Sequence, residues 1–140
     1  MTDTPAVPIP LNLADASAFL DASGLRLTEV TGQSVTGTLE LGPQHHTPWG
    51  IVHGGVYTTA IESAASVGAT AAVAERGQIA VGVHNSTDFL RSTKSATATL
   101  HATPVHQGRT QQLWDVTITD QDGHQLARGA LRLQNIDARH

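Results

Sequence analysis

Between Gly54 and Ala74 the chain runs for 21 residues, GGVYTTAIESAASVGATAAVA, with one charged side chain, Glu62, and no proline. No other stretch restricts the possible folds as much. Its length and alanine content argue for a helix, although Gly, Thr and Val lower the intrinsic propensity. A helix without a charged stripe is covered on most of its sides. A bilayer could provide that cover, since about 18 apolar residues can span one. Composition argues against it: Ala, Gly, Ser and Thr dominate, and Glu62 would sit mid-membrane at several kcal/mol. The cover must therefore be protein.

Strand patterns on either side can supply it. Residues 25–30 (LRLTEV) place Leu25, Leu27 and Glu29 on one face, and residues 34–41 (SVTGTLEL) place Val35, Gly37, Leu39 and Leu41 on one face. A turn at Thr31-Gly32 joins them. After Glu75-Arg76-Gly77 come four segments of strand character, 78–91, 95–107, 109–120 and 124–136, and the Asp122-Gly123 break is a strong hairpin signal. Pro104 marks a bulge or an edge. The expected order is two strands, the helix over residues 54–75, then four strands in hairpin succession. Such a chain is α+β, with one long antiparallel sheet wrapped around a buried central helix. Upstream, residues 1–12 read as a proline-punctuated arm and residues 15–21 as a short helix stopped by Gly24. Residues 1–23 are thus an arm with a short helix, and 24–140 one domain, a normal domain size.

Composition removes several functions. With 8 Lys and Arg against 12 Asp and Glu, a net charge of −4 and no basic run, nucleic acid is not an expected partner. Without cysteine there is no disulfide, thiolate metal site or cysteine nucleophile. His45, His46, His53 and His84 form no HExxH or HxH pattern, so no metal is implied. Neither a GxSxG elbow nor a phosphate-binding glycine loop occurs. The proline-bearing, acidic N-terminus fits neither a secretory signal nor a transit peptide, and a cytoplasmic location is expected. Only 14% of residues are charged, which leaves apolar surface for self-association.

Chemistry concentrates at the helix start. His53-Gly54-Gly55 opens the helix, and a helix N-terminus offers unpaired N–H groups and a positive dipole end that can hold an oxyanion. Glycine lets a carbonyl approach without a Cβ in the way; a plain loop-to-helix joint would look the same. Glu62, the lone carboxylate, must be paired, solvated or functional, because burying it bare is very costly. If burial desolvates it, it becomes a stronger base. The other reading ties it to a backbone amide or an arginine. Ser66, four residues on, shares its helix face and can hold a water or simply fill space. Thr58 and Thr59 lie one turn before it and can line the same cleft.

Taken together, WGIVHGGVY over 49–57, the HGG-x6-E spacing to Glu62, the small-residue helix, VGVHNSTDFLR and QLWDV resemble the hotdog-fold acyl-CoA thioesterases. The nearest branch is the 4-hydroxybenzoyl-CoA thioesterase and phenylacetate-pathway group, and the likeness runs from Leu25 to Asn135. It implies hydrolysis of an acyl- or aryl-CoA thioester to the free acid and CoA. Gly54, following His53, would donate its amide to the thioester oxygen, and Glu62 would act as nucleophile or as general base on water. Ser66 would help place that water. Arg91, Arg109 and Thr110 would contact CoA, which is part of the substrate, so no cofactor is implied. Thr47 stands six residues before His53, where the family usually has Asn or Gln; Gln44 or His46 are the possible substitutes. A non-catalytic acyl-CoA-binding hotdog protein is the alternative. A hotdog dehydratase fits less well, because the D-x4-H hydratase pattern is absent.

Assembly follows from geometry. Gly54 and Glu62 are eight residues apart, which is about 12 Å along a helix axis. One helix cannot offer both groups to one carbonyl, whose attacker must come within about 3–3.5 Å. Two antiparallel helices across a two-fold axis can. A dimer or tetramer with sites at the subunit interface is therefore expected.

Overall fold

The computed structural model describes residues 6–138. Its elements are α1 (Ala18–Ser23), β1 (Leu25–Thr31), β2 (Ser34–Leu41), α2 (Gly54–Val73), β3 (Gln78–Phe89), β4 (Ala96–Gln107), β5 (Gln111–Thr119) and β6 (Gln125–Asp137). All six strands form one antiparallel sheet, in the order β1-β2-β4-β5-β6-β3. α2 packs against every one of them. This is the expected α+β arrangement of a sheet wrapped around one long helix. No helix among the described residues is long and apolar enough to cross a membrane.

Local signals set the ends of the elements. Ser17 caps α1, its hydroxyl accepting the Leu20 N–H at 3.2 Å, and Gly24 stops the helix at φ 78°. That helix is shorter and later than the expected 15–21 span, because a separate 3₁₀ turn takes Leu13–Asp15. The alternation of β2 buries Val35, Gly37, Leu39 and Leu41 as expected. In β1 it fails after Leu27. A bulge between Leu27 and Glu29 flips the phase, so Glu29 is exposed and Val30 packs on the core. Pro104 lies at a bulge in β4, beyond the last residue paired with β2.

The strand order corrects the expected hairpin succession. β4, β5 and β6 do follow as hairpins, but β3 does not pair with β4; it lies at the far edge against β6. Residues 90–95 cross the end of the sheet, where Thr93 O accepts the Val52 N–H at 2.9 Å and Lys94 O meets the His46 ring at 2.7 Å. Only this crossover brings β4 beside β2.

Cover of α2 is one-sided. Tyr57, Ala60, Ile61, Ala64, Ala65, Gly68, Ala69 and Val73 are buried, a single stripe at helical spacing. The opposite face, with Gly55, Thr59, Glu62, Ser66 and Thr70, is only half-covered or exposed. Close packing on the buried stripe depends on Gly68, where a Cβ would lie 2.6 Å from Trp114 Cη2 and 2.7 Å from Val35 Cγ2. Mid-helix Gly→Ala ordinarily stabilises by roughly 0.5–1 kcal/mol. Here overpacking of about 1–3 kcal/mol should win, so Gly68→Ala is expected to lower Tm in thermal unfolding; a raised Tm would contradict it.

Candidate active site

His53 caps α2. Its Nδ1 accepts the Gly55 N–H at 2.8 Å and its carbonyl accepts the Val56 N–H at 3.1 Å. With Nδ1 accepting, the neutral ring carries its proton on Nε2. Gly54 N–H is left as the first-turn donor that no described residue accepts. The Phe89 ring lies across this point: a Cβ on Gly54 would come within 2.8 Å of Phe89 Cε1. Phe89 closes β3 and pairs obliquely with Tyr57, ring centroids 6.5 Å apart. Tyr57 is buried, its hydroxyl without a partner among the described residues, and that burial pushes its phenol above the usual range.

Glu62 stands two turns further on and is exposed. The burial expected for it is therefore not supplied by this chain alone. The carboxylate lies over β3, 3.6 Å from the place a Cβ would occupy on Gly82. It makes no ion pair or hydrogen bond among the described residues, so neither a backbone amide nor an arginine ties it down. Phe19, Thr58, Thr59 and Ser63 complete a pocket of 210 Å³ around it. Thr58 and Thr59 thus join the cleft that sequence spacing suggested. Asn85 Nδ2 donates to Thr58 O at 3.2 Å and Thr87 Oγ1 to Asn85 Oδ1 at 2.6 Å, fastening β3 to the helix between Gly54 and Glu62.

A neighbouring cavity of 520 Å³ shares Phe19 and Thr59 and is lined also by Gln44, His45, His46 and His53. The buried His45 is fully engaged: Nδ1 accepts the Gly42 N–H at 3.4 Å and Nε2 meets Ala22 O at 2.8 Å. His46 leans on Lys94 O, and the Gln44 amide donates to Glu40 O at 3.3 Å.

The remaining expected residues are dispersed. Thr47 closes a tight turn, its hydroxyl accepting the Trp49 N–H at 3.2 Å and its carbonyl the Gly50 N–H at 3.0 Å. Ser66 lines a different cleft, under residues 7–10. Arg91 follows β3 near Phe89, whereas Arg109 and Thr110 form the β4–β5 turn, whose carbonyls accept bonds from Asn135. Asn135 pairs with Ala80 at the other end of β3. Within one chain, roughly 35 Å of strand, at about 3.3 Å per residue, therefore separates the two arginines.

Sequence reasoning passed over Phe19, Asn85 and Phe89. The only local trace was VGVHNSTDFLR, where Asn85 and Phe89 stand in a strand with few large apolar residues. Among the described residues, the cluster able to hold a cation is Asp120, Asp122 and His124 in the β5–β6 turn, not the loop histidines. Asp120 Oδ1 is already committed there to the N–H groups of Asp122 and His124, at 2.9 and 2.8 Å.

Comparison with known proteins points one way. Residues 50–127 match the sequence profile of the Thioesterase superfamily. Mycobacterium tuberculosis protein Rv1847, named only as a candidate esterase, is 43% identical over 99% of both chains. Its solved structure superposes with a TM-score of 0.84 at 44% identity, covering 89% of this chain and all of that one. The 1,4-dihydroxy-2-naphthoyl-CoA hydrolase of Listeria monocytogenes is 32% identical over 70% of this chain and 79% of its own. A Streptococcus pneumoniae protein described as a hypothetical thioesterase, solved with coenzyme A, shares the fold at 22% identity and TM-score 0.74, over 83% of this chain and 88% of that one.

Proposed function

The chain belongs to the thioesterase superfamily and has its hotdog fold, and from that premise we propose that it hydrolyses an acyl- or aryl-CoA thioester to the free acid and CoA. The observation that carries the reading is a carboxylate, Glu62, and an amide, Gly54 N–H, both without a partner among the described residues and both lying against β3. Thioester hydrolysis needs those two groups and no metal or cofactor. The names of the Listeria relative and the pneumococcal structure support CoA as the thiol half. A cytoplasmic setting, where acyl-CoA is made and used, suits the chemistry.

Chemically, water adds to the thioester carbon as Glu62 takes its proton, and the carbonyl oxygen becomes an oxyanion held by Gly54 N–H. Collapse breaks the C–S bond, and the departing thiolate takes the proton back from Glu62. Direct attack by Glu62 would instead pass through an anhydride that water then opens. Either route needs Gly54 and Glu62 on different chains.

The β3 edge supports such an assembly. It is 12 residues long, has no strand on its outer side among the described residues, and exposes Val81, Val83 and Phe89. Antiparallel pairing of two such edges, centred between Asn85 and Ser86, sets Gly82 of one chain opposite Phe89 of the other. Glu62 then faces the second chain's Gly54, since each lies against one of those two residues. The same two-fold sets Ala80, and with it the Arg109 turn, beside Arg91 of the other chain. Arginines far apart in one subunit thus converge on one CoA.

A non-catalytic acyl-CoA-binding role is favoured by one observation: the Thr47 hydroxyl is spent within its own turn. Thiol release over a panel of short, long and aryl acyl-CoAs separates the two readings. In that assay Arg91→Glu should raise KM for acyl-CoA by about tenfold, because an acidic protein needs local positive charge to hold a polyanion. KM for a small thioester without the nucleotide should stay unchanged. Equal effects on both would remove Arg91 from the CoA site.

A further inference from the structure

One turn past Glu62, α2 forms the floor of a further cavity, of 300 Å³, whose cover is the N-terminal arm. Val7 and Ile9 line it from above, Ser66, Val67 and Thr70 from below, and Ile79 from the β3 side. Along the arm Val7 and Ile9 are half-buried, and Pro8 and Pro10, though exposed, complete the rim of the cavity. The described arm makes one backbone bond before residue 12, Val7 N–H to Ala74 O at 3.0 Å. Pro8 and Pro10 carry no N–H, so these residues cannot zip onto a strand and lie across the helix as a strap.

The lining identifies the occupant. It contains no charged group, and the Thr70 hydroxyl already accepts the Ala80 N–H at 3.0 Å. Phosphates or amide groups placed there would lose hydration without compensation, whereas a hydrocarbon would not. Ser66 and Thr70 follow Glu62 at four and eight residues on one helix face, so the floor runs about 12 Å from the carboxylate. A thioester carbon attacked at Glu62 can therefore extend its acyl substituent along this floor. The 520 Å³ cavity at the other end of the helix sets Gln44 and three histidines beside Phe19, Ala22 and Val56, so it offers polar partners that this one lacks.

We propose that the cavity beneath the strap receives the acyl group of the thioester, and that Ile9 sets the acyl length accepted. The proposal rests on thioester hydrolysis at Glu62. It makes Ile9 a specificity residue supplied by the N-terminal arm, outside the sheet-and-helix body. Ser66 then lies at the mouth of the acyl cavity, where its hydroxyl meets the first atoms beyond the carbonyl.

The test uses the full chain with Ile9→Trp, which fills the cavity, and Ile9→Ala, which enlarges it, with Tm recorded for each. For Ile9→Trp, kcat/KM toward decanoyl-CoA should fall by about tenfold or more, the scale on which apolar pockets discriminate by a methylene. Acetyl-CoA should stay within about twofold by the same reasoning. Ile9→Ala should move the optimum to longer chains. Parallel chain-length profiles in folded variants would overturn the proposal. So would a profile that shifts with Phe19→Trp, in the other cavity, and not with Ile9. If the wild-type protein hydrolyses no member of the short, long and aryl acyl-CoA panel, the hydrolytic reading fails. The strap is then judged by the Kd ratio of decanoyl-CoA to acetyl-CoA, and a ratio unchanged by Ile9→Trp overturns its role.

Discussion

Glu62→Gln is expected to reduce thioester hydrolysis by about 10²–10⁴-fold, the usual worth of a positioned general base, while leaving Tm and acyl-CoA binding nearly unchanged. Stability should hold because the carboxylate is exposed and bonds to nothing among the described residues. Binding should hold because the amide keeps the shape of the carboxylate and loses only its capacity to take a proton or attack. Stopped-assay thiol release and calorimetric titration with a slow substrate measure the two quantities separately. Unchanged turnover would remove Glu62 from the chemistry and leave the binding-protein reading standing. A parallel loss of binding would show that Glu62 holds substrate instead of activating water.

Mixed dimers give the second large effect. Gly54→Pro removes the N–H proposed to meet the oxyanion, at a first helical position that tolerates proline. Loss of one such donor costs about 10²–10³-fold in kcat. Because any Cβ on Gly54 displaces Phe89, Gly54→Ala is the control: it shifts the ring equally but keeps the donor. Proline should therefore be far more damaging than alanine. Refolding Gly54→Pro together with Glu62→Gln should restore activity, since each mixed dimer then contains one site with both groups intact. Failure to recover despite demonstrated subunit exchange would place the whole site within one chain.

The two residues behind these experiments are legible in the sequence for a local reason. A carboxylate alone in 21 otherwise uncharged residues stands out in any helix, and a His-Gly-Gly entry announces an unblocked N-terminus. Alternation likewise delimits the strands closely, because side-chain direction in an extended chain follows from its own backbone. Where a local deviation intervenes, as at the β1 bulge, the pattern misassigns Glu29 and Val30.

The pairing of strands is not legible in the same way. Hydrogen-bond partners lie across the sheet, and residues 90–95 carry no turn chemistry that reveals a crossover. Placing β3 at the edge decided three things at once. It left a long strand open to a second chain, set the Arg91 and Arg109 turns at opposite ends, and left the Glu62 face of α2 uncovered. The sequence by itself determined a helix that requires covering and the chemical groups it bears. Only the tertiary structure decided that one chain covers half of it, because a six-stranded sheet with two free edges encloses a helix from one side only.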